Sequence, residues 1–492
     1  MKVSGEVLGR WVTRLLGLGF IAFGFAAWKV TREGSGLVEI VSFEGFGLKD
    51  ALGIRLNPVT VLLGLMVTAL GAAVSHYSKR YLSGEKGQAR FFVFLLGTVL
   101  SVLFLITANH FVTLFLAWMG ASLCLHQLLV FFPERSAAVL AARKKFIISR
   151  LGDLALLVGI ILTALEFKSL EFETVFNLAR SLSLQGEGIE ISAIGFLFVL
   201  GAMTKSAQMP FHFWLPETME TPTPVSALMH AGVINAGGIF VILISPLLQY
   251  AEAAHLLLSW LGALTAVFGA LVMITQNDIK KKLAYSTISQ MGMMMFACGL
   301  GAYSLALFHV IAHSFYKAHA FLSTGFLVNE SKWAQRGRLS EGLISILIKV
   351  SIGCALIASG WLIQDGAFIA YLTYGAVIWL GISQVLAFTS DWSFAFLLRF
   401  MTSIVLAIGM WLGLEYWIHL GMVDLVPGAW GEPADKLGTS IGTFLIFVTG
   451  YLMSRALVTG MGESKGGRRW FLFFWNGGYF SQWTTGWLRR FV

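Results

Sequence analysis

The sequence predicts an all-α, polytopic membrane protein, and three observations carry that prediction. Hydrophobic residues make up 57% of the 492-residue chain and charged residues only 12%, with a mean hydropathy of +0.76; a soluble domain carries about a quarter of its residues charged. The apolar residues gather into runs of roughly 17–25, the length a helix needs to cross about 30 Å of hydrocarbon. The lysines and arginines fall in short connections between those runs, so the net charge of +9 reads as membrane orientation and not as nucleic-acid binding. Cys124, Cys298 and Cys354 sit singly in apolar stretches, without iron–sulfur, zinc or disulfide spacing. There is no Gly-rich phosphate loop, dinucleotide fingerprint or catalytic triad pattern. The chain is therefore expected not to be an enzyme; chemistry on a soluble substrate would have to come from another chain.

Spans are expected at 10–28, 58–75, 91–107, 111–131, 146–165, 191–209, 225–248, 256–275, 283–300, 303–327, 342–363, 367–389, 396–416 and 440–458, about fourteen in all. The first follows Lys2, Arg10 and Arg14 but lacks a small-x-small cleavage site, so it reads as a retained helix and not as a signal peptide. Residues 29–55 are mixed in charge and show no periodicity. With both termini in the cytoplasm, the clusters Lys79/Arg80/Lys86/Arg90, Arg143/Lys144/Lys145, Lys280/Lys281/Lys282 and Arg468/Arg469 all fall on the cytoplasmic side. Residues 468–492, basic and rich in tryptophan, fit either an interfacial helix or a partner-docking segment.

The stretch 201–238, GAMTKSAQMPFHFWLPETMETPTPVSALMHAGVINAGG, interrupts this pattern. Lys205 closes an apolar run, and Pro210 and Pro216 remove helix donors just after it. A lysine at mid-bilayer costs about 2.5–3.5 kcal/mol on insertion scales, and a broken helix is tolerated there only inside protein or along a wet cavity. An ion or proton site is the favoured reading, with Lys205 snorkelling to the interface as the alternative. Thr223 is the expected N-cap of the next helix, with Pro224 at its first position and His230 two turns in.

Further on, His309, His313 and Lys317 recur every fourth residue and so share one helical face, while His319 lies off it. Three titratable groups in register within a span suit a proton relay; a zinc pair would lack a third ligand. Asp153 lies inside its span at (i, i+3) from Arg150, as an ion-pair partner or a support for an entry path, and Glu217 is a second entry-path candidate.

The motifs KSAQ-P (205–210), TPVSAL-x-HA (223–231), DIK-x-x-LAYST-x-SQ-G (278–292) and H-x-x-x-K (313–317) closely resemble the antiporter-like membrane subunits of respiratory complex I and the Mrp-type cation/proton antiporters, over roughly residues 90–330. The resemblance implies two inverted five-helix repeats with broken helices and a line of buried lysines and histidines that conducts protons. The repeats would occupy 91–248 and 256–389, after N-terminal helices at 1–90 and before C-terminal helices and the tail at 390–492. Lys205 then corresponds to the lysine of the first broken helix, His230 to the histidine of the next, and His313 and Lys317 to the central relay.

Two departures stand out. Where complex I subunits carry Trp-Glu, this chain has Trp118-Met119, so the carboxylate partner of the first lysine is absent. No proline lies between Pro246 and Pro427, and Lys349 is the substitute for the lysine of the second broken helix.

The 122–155 stretch and the HAGVINAGG run are similar to the membrane subunits of two-component inorganic-carbon transporters. That resemblance implies a bacterial inner-membrane complex and a large zinc-containing partner related to β-carbonic anhydrases. The partner would hydrate CO2 to bicarbonate, energised by proton or sodium flow through this chain, which itself holds no cofactor. The alternatives are a subunit of a respiratory NADH dehydrogenase or Mrp antiporter, and an assembly subunit that no longer conducts.

Overall fold

Within hydrocarbon every backbone N–H and C=O must find a partner in its own segment, and that requirement makes this chain helical almost throughout. The computed structural model describes residues 4–39, 53–184, 189–324, 436–459 and 464–488, with isolated helical positions between 373 and 416. Helix α1 (Gly5–Glu33) starts at Ser4, whose hydroxyl accepts from Val7 N at 3.4 Å. An antiparallel hairpin of β1 (Gly36–Glu39) and β2 (Gly53–Leu56) follows, which the unpatterned 29–55 stretch gave no sign of. Asn57 and Thr60 then form a reciprocal capping box, each side chain accepting the other's backbone N–H at 2.9 Å, and fix the start of α2 (Pro58–Tyr81).

Three long helices come next: α3 (Gln88–Thr107) and α4 (Phe111–Leu129), close to the expected spans, and α5 (Ser136–Phe167), which starts ten residues before the expected 146–165. The short α6 (Phe172–Leu184), expected from no apolar run, buries Phe172, Val175 and Ala179 along one face. Helix α7 (Ile189–Lys205) leads into the interrupted region, which holds α8 (Trp214–Glu217), α9 (Thr223–Ala231), α10 (Ala236–Leu243) and α11 (Ser245–Leu248). Beyond it run α12 (Glu252–Thr275), α13 (Ile279–Gly299), which Asp278 caps through Lys281 N at 2.8 Å, and α14 (Tyr303–Leu322). The remaining described helices are α15 (Lys436–Thr459), α16 (Lys465–Trp475) and α17 (Phe480–Leu488). The expected span at 342–363, with Lys349 and Cys354, lies outside the described residues, as do most of 367–389 and 396–416.

Among the described residues eight helices are long and apolar enough to cross a membrane, counting 223–243 as one. They are not equally placed. The apolar core of 223–243 is 94% buried and that of α1 only 11%, so the interrupted segment is at the centre and α1 at the rim, with Trp11, Ile21 and Phe25 exposed. Glycines let the inner helices touch backbone to backbone, as suits packing in lipid, where burial of apolar area gives no advantage. A Cβ on Gly292 of α13 would stand 2.4 Å from Ala266 N of α12, and one on Gly262 of α12 would stand 2.5 Å from Phe296 N of α13. Gly292→Val is therefore expected to destabilise the fold by about 1–3 kcal/mol through overpacking. A thermal shift of the purified protein in detergent, set beside the lipid-side control Ile21→Val, checks this.

Candidate ion-translocation site

Two helix interruptions meet at the centre of the bundle. The first is the one expected after Lys205. Ala207 adopts a left-handed φ of 48°, Gln208 N–H turns back to the Met203 carbonyl at 3.0 Å, and α7 ends on Lys205. Pro210 lies in the loop that follows, and Pro216 in the four-residue α8.

Helix α9 begins one residue earlier than expected: Thr223 is its first residue and Pro222 its cap, the Thr223 hydroxyl facing Tyr81 OH at 3.4 Å instead of a backbone amide. The second interruption, at 232–235, falls within what the sequence presents as one apolar run. Gly232 departs from helical geometry and a 3-10 turn precedes α10. Gly237 permits the contact between the two, since a Cβ there would lie 2.3 Å from the Ala202 carbonyl of α7. Ser206 Oγ, just past Lys205, donates to the freed Ile234 carbonyl at 2.6 Å.

Around the first interruption, Lys205 is 5% exposed and points inward, not to the surface that snorkelling requires. Its Nζ donates to the Trp118 carbonyl at 3.0 Å and lies 4.3 Å from the Trp118 ring centroid. The Trp118 indole in turn donates to Asp153 Oδ1 at 2.9 Å, and Asp153 Oδ2 lies 2.7 Å from Arg150 Nη2. Asp153 thus reaches the lysine's surroundings from α5 through the Trp118 indole.

Around the second interruption stand His230, His313 and Lys317, all buried. His230 Nδ1 is 3.1 Å from Thr287 Oγ1, and the Thr287 hydroxyl donates to the Leu283 carbonyl at 3.0 Å. Lys317 Nζ donates to the same carbonyl at 3.0 Å and to Ser286 Oγ at 2.5 Å, so one carbonyl ties the two residues together. The His230 ring stacks on Phe321 at 4.4 Å, and His313 interacts with the His230 backbone. His309 is one turn back, its ring 6.2 Å from that of His313, and borders a cavity of about 380 Å³ lined also by Ser289, Gln290, Tyr451 and Ser454. His319 is exposed, as its place off the shared face implies. Among the described residues no direct hydrogen bond joins Lys205 to His230.

Glu217 belongs to neither cluster. It pairs with Lys144 at 2.6 Å, and Lys144, 1% exposed, also donates to Thr485 Oγ1 at 2.6 Å. Ser481 hydrogen-bonds to the same carboxylate, so the basic aromatic tail docks on its own chain beside the break. Phe480 of the tail and Phe268 of α12 flank the buried His212 ring at 4.9 and 5.1 Å.

Sequence inspection passed over Ser286, Thr287, Asn235, Lys144 and Lys145 as site residues. The hydroxyl pair left one visible trace, two adjacent polar positions inside an expected span.

The comparisons with known proteins agree with this architecture. The chain belongs to the family described as NADH:quinone oxidoreductase/Mrp antiporter, TM, which matches residues 108–360, and residues 46–92 match the N-terminal part of NADH-ubiquinone oxidoreductase (complex I) chain 5. Among individual relatives, a probable inorganic carbon transporter subunit, DabB2 of Halothiobacillus neapolitanus, is 40% identical over 318 residues, covering 65% of this chain and 56% of that protein. NADH-ubiquinone oxidoreductase chain 5 of Podospora anserina is 37% identical over 343 residues, covering 70% of this chain and 51% of that protein. The chain thus spans about half the length of these relatives. In fold it is similar to a chain of the Mrp complex from Dietzia sp. DQ12-45-1b, with a TM-score of 0.60 at 22% identity over 95% of this chain and 58% of that one.

Asp153 holds two partners at once, and its two replacements separate them. Asp153→Asn keeps an acceptor for the Trp118 indole, whereas Asp153→Leu leaves both the indole and Arg150 unpaired, so the Leu variant is expected to be the less stable by about 1–3 kcal/mol. Thermal unfolding of the two purified variants measures the difference.

Proposed function

We propose that this chain is the proton-conducting membrane subunit of a bacterial inner-membrane complex for inorganic-carbon accumulation, with sodium as the alternative cargo. Lys205, His230, His309, His313 and Lys317 form the relay, Asp153 and Glu217 support entry, and the five-helix repeats occupy 91–248 and 256–389. The observation that carries this reading is the burial of Lys205, His230 and Lys317 beside two adjoining helix breaks, each held by carbonyls and hydroxyls in place of a directly bonded carboxylate. A cation held by neutral dipoles is not locked in an ion pair, and ionisable groups kept in an apolar interior mark ion pathways. The similarity to DabB2 supports the carbon-transport role. The partner would be a large zinc-containing, carbonic-anhydrase-like subunit of the DabA type, which hydrates CO2. Ion entry, at about 2.3 kcal/mol per charge per 100 mV, would bias that reaction toward bicarbonate.

The second reading, a subunit of a respiratory NADH dehydrogenase or Mrp-type antiporter, is favoured by the matching chain 5 relatives. Co-expression with the partner separates the two. Lys205→Ala and Lys317→Ala are each expected to abolish growth of a carbonic-anhydrase-deficient host in air while growth at high CO2 persists. Full growth in air with both variants would remove the relay, and failure of the unmodified pair to support growth in air would favour the respiratory role.

A further inference from the structure

Among the described residues, Lys145 is a buried amine that the relay above does not use. Lys145, on α5, is 3% exposed and lies on the order of 14 Å along the helix from its start, well inside the bundle. Its Nζ donates to the Ser122 carbonyl at 3.0 Å and to Ser122 Oγ at 2.8 Å. Ser122 lies one turn along α4 from Trp118, whose carbonyl holds Lys205 and whose indole holds Asp153. Helices α4 and α5 are thus joined by two polar rungs, Lys145 to Ser122 and Asp153 to Trp118, and Lys205 is attached to the second.

Among the described residues Lys145 makes no ion pair, so a lipophilic side chain would fill its place at less cost than an ammonium. The ionisable groups that act on it are His126 from α4, Arg150 and Asp153 from its own helix, and Lys205 from the end of α7. Three lysine or arginine side chains therefore share this interior with one carboxylate. Lys145 and Lys205 thus repel one another across this space, while Asp153 attracts both.

We propose that Lys145 is a second proton-carrying amine of the Lys205 site, and that a proton loaded on Lys145 drives the proton of Lys205 onward to His230. This rests on the cation-conducting reading above. One proton enters and forms an N–H bond at Lys145, one N–H bond of Lys205 breaks, and the Lys145 proton then refills Lys205 by way of water and the Ser122 hydroxyl. No electron is exchanged, and one proton passes per cycle.

The test uses the full chain with its partner in proteoliposomes, with dye-reported proton uptake under a potassium-diffusion potential across a range of pH. Lys145→Met is expected to lower uptake by about fivefold or more. Lys145→Arg, which keeps charge and donors but cannot release a proton, is expected to be equally impaired, and Ser122→Ala to change the pH profile of uptake. Wild-type uptake in Lys145→Met, or rescue by Lys145→Arg, would overturn the proposal and leave Lys145 as a brace between helices. If Lys205→Met also conducts normally, the conduction reading itself falls and this inference with it. Should both Lys145 variants fail to assemble, the Ser122→Ala profile decides: an unchanged profile overturns the proposal and a displaced one supports it.

Discussion

A helix that breaks inside an apolar bundle frees backbone groups that only the protein can satisfy, and this constraint organises the centre of the molecule. The two interruptions supply partners for each other and draw others from neighbouring helices. Ser206 meets the Ile234 carbonyl, Met209 N–H meets Thr265 Oγ1 on α12 at 3.0 Å, and Asn235 Nδ2 meets the Ala231 carbonyl at 2.9 Å and Ser314 Oγ on α14 at 2.7 Å. Each break is tolerated because polar side chains from other helices are aimed at it. The same requirement fixes where α7, α10, α12 and α14 sit relative to one another.

Placing cations in that setting has a definite electrostatic character. Lys205 and Lys317 both rest on backbone carbonyls, and Asp153 is joined to the Lys205 surroundings through the Trp118 indole. Neutral dipoles oriented by helix termini and rungs hold a charge without neutralising it, so the ammonium remains sensitive to any other charge brought into the same low-dielectric space. The arrangement favours response over tight binding. Close glycine contacts between α12 and α13 hold the helices that position Thr265 and Thr287, so the softer electrostatics rest on a stiff scaffold.

The outline of the fold was legible in the sequence because a span is a local property: a run of apolar residues long enough to cross announces itself. Lys205, His313 and Lys317 were legible for the converse reason, as charges where none belongs. The second interruption was not, because 225–248 reads as one apolar run with His230 and Asn235 as scattered polar positions, and Gly232 resembles any packing glycine in a membrane helix. The hairpin and α6 were hidden too, since neither has the length or periodicity of a span. Trp118 with Asp153, Lys145 with Ser122, and Thr287 with His230 are relations between helices, fixed by rotation and height that no single stretch encodes.

The tail shows the same dependence on distance. Residues 481 and 485 close over a pair formed by residues 144 and 217, while Trp475 O accepts from Gln276 Nε2 at 3.1 Å. The last described helices are therefore stitched to α5, to α8 after the first break and to the C-terminal end of α12. A molecule gripping the exposed aromatic rim at Trp470, Tyr479 and Trp483 would have a handle on Glu217 through Ser481 and on the ring of His212 through Phe480, so traction applied at one extremity reaches the threshold of the proposed ion path.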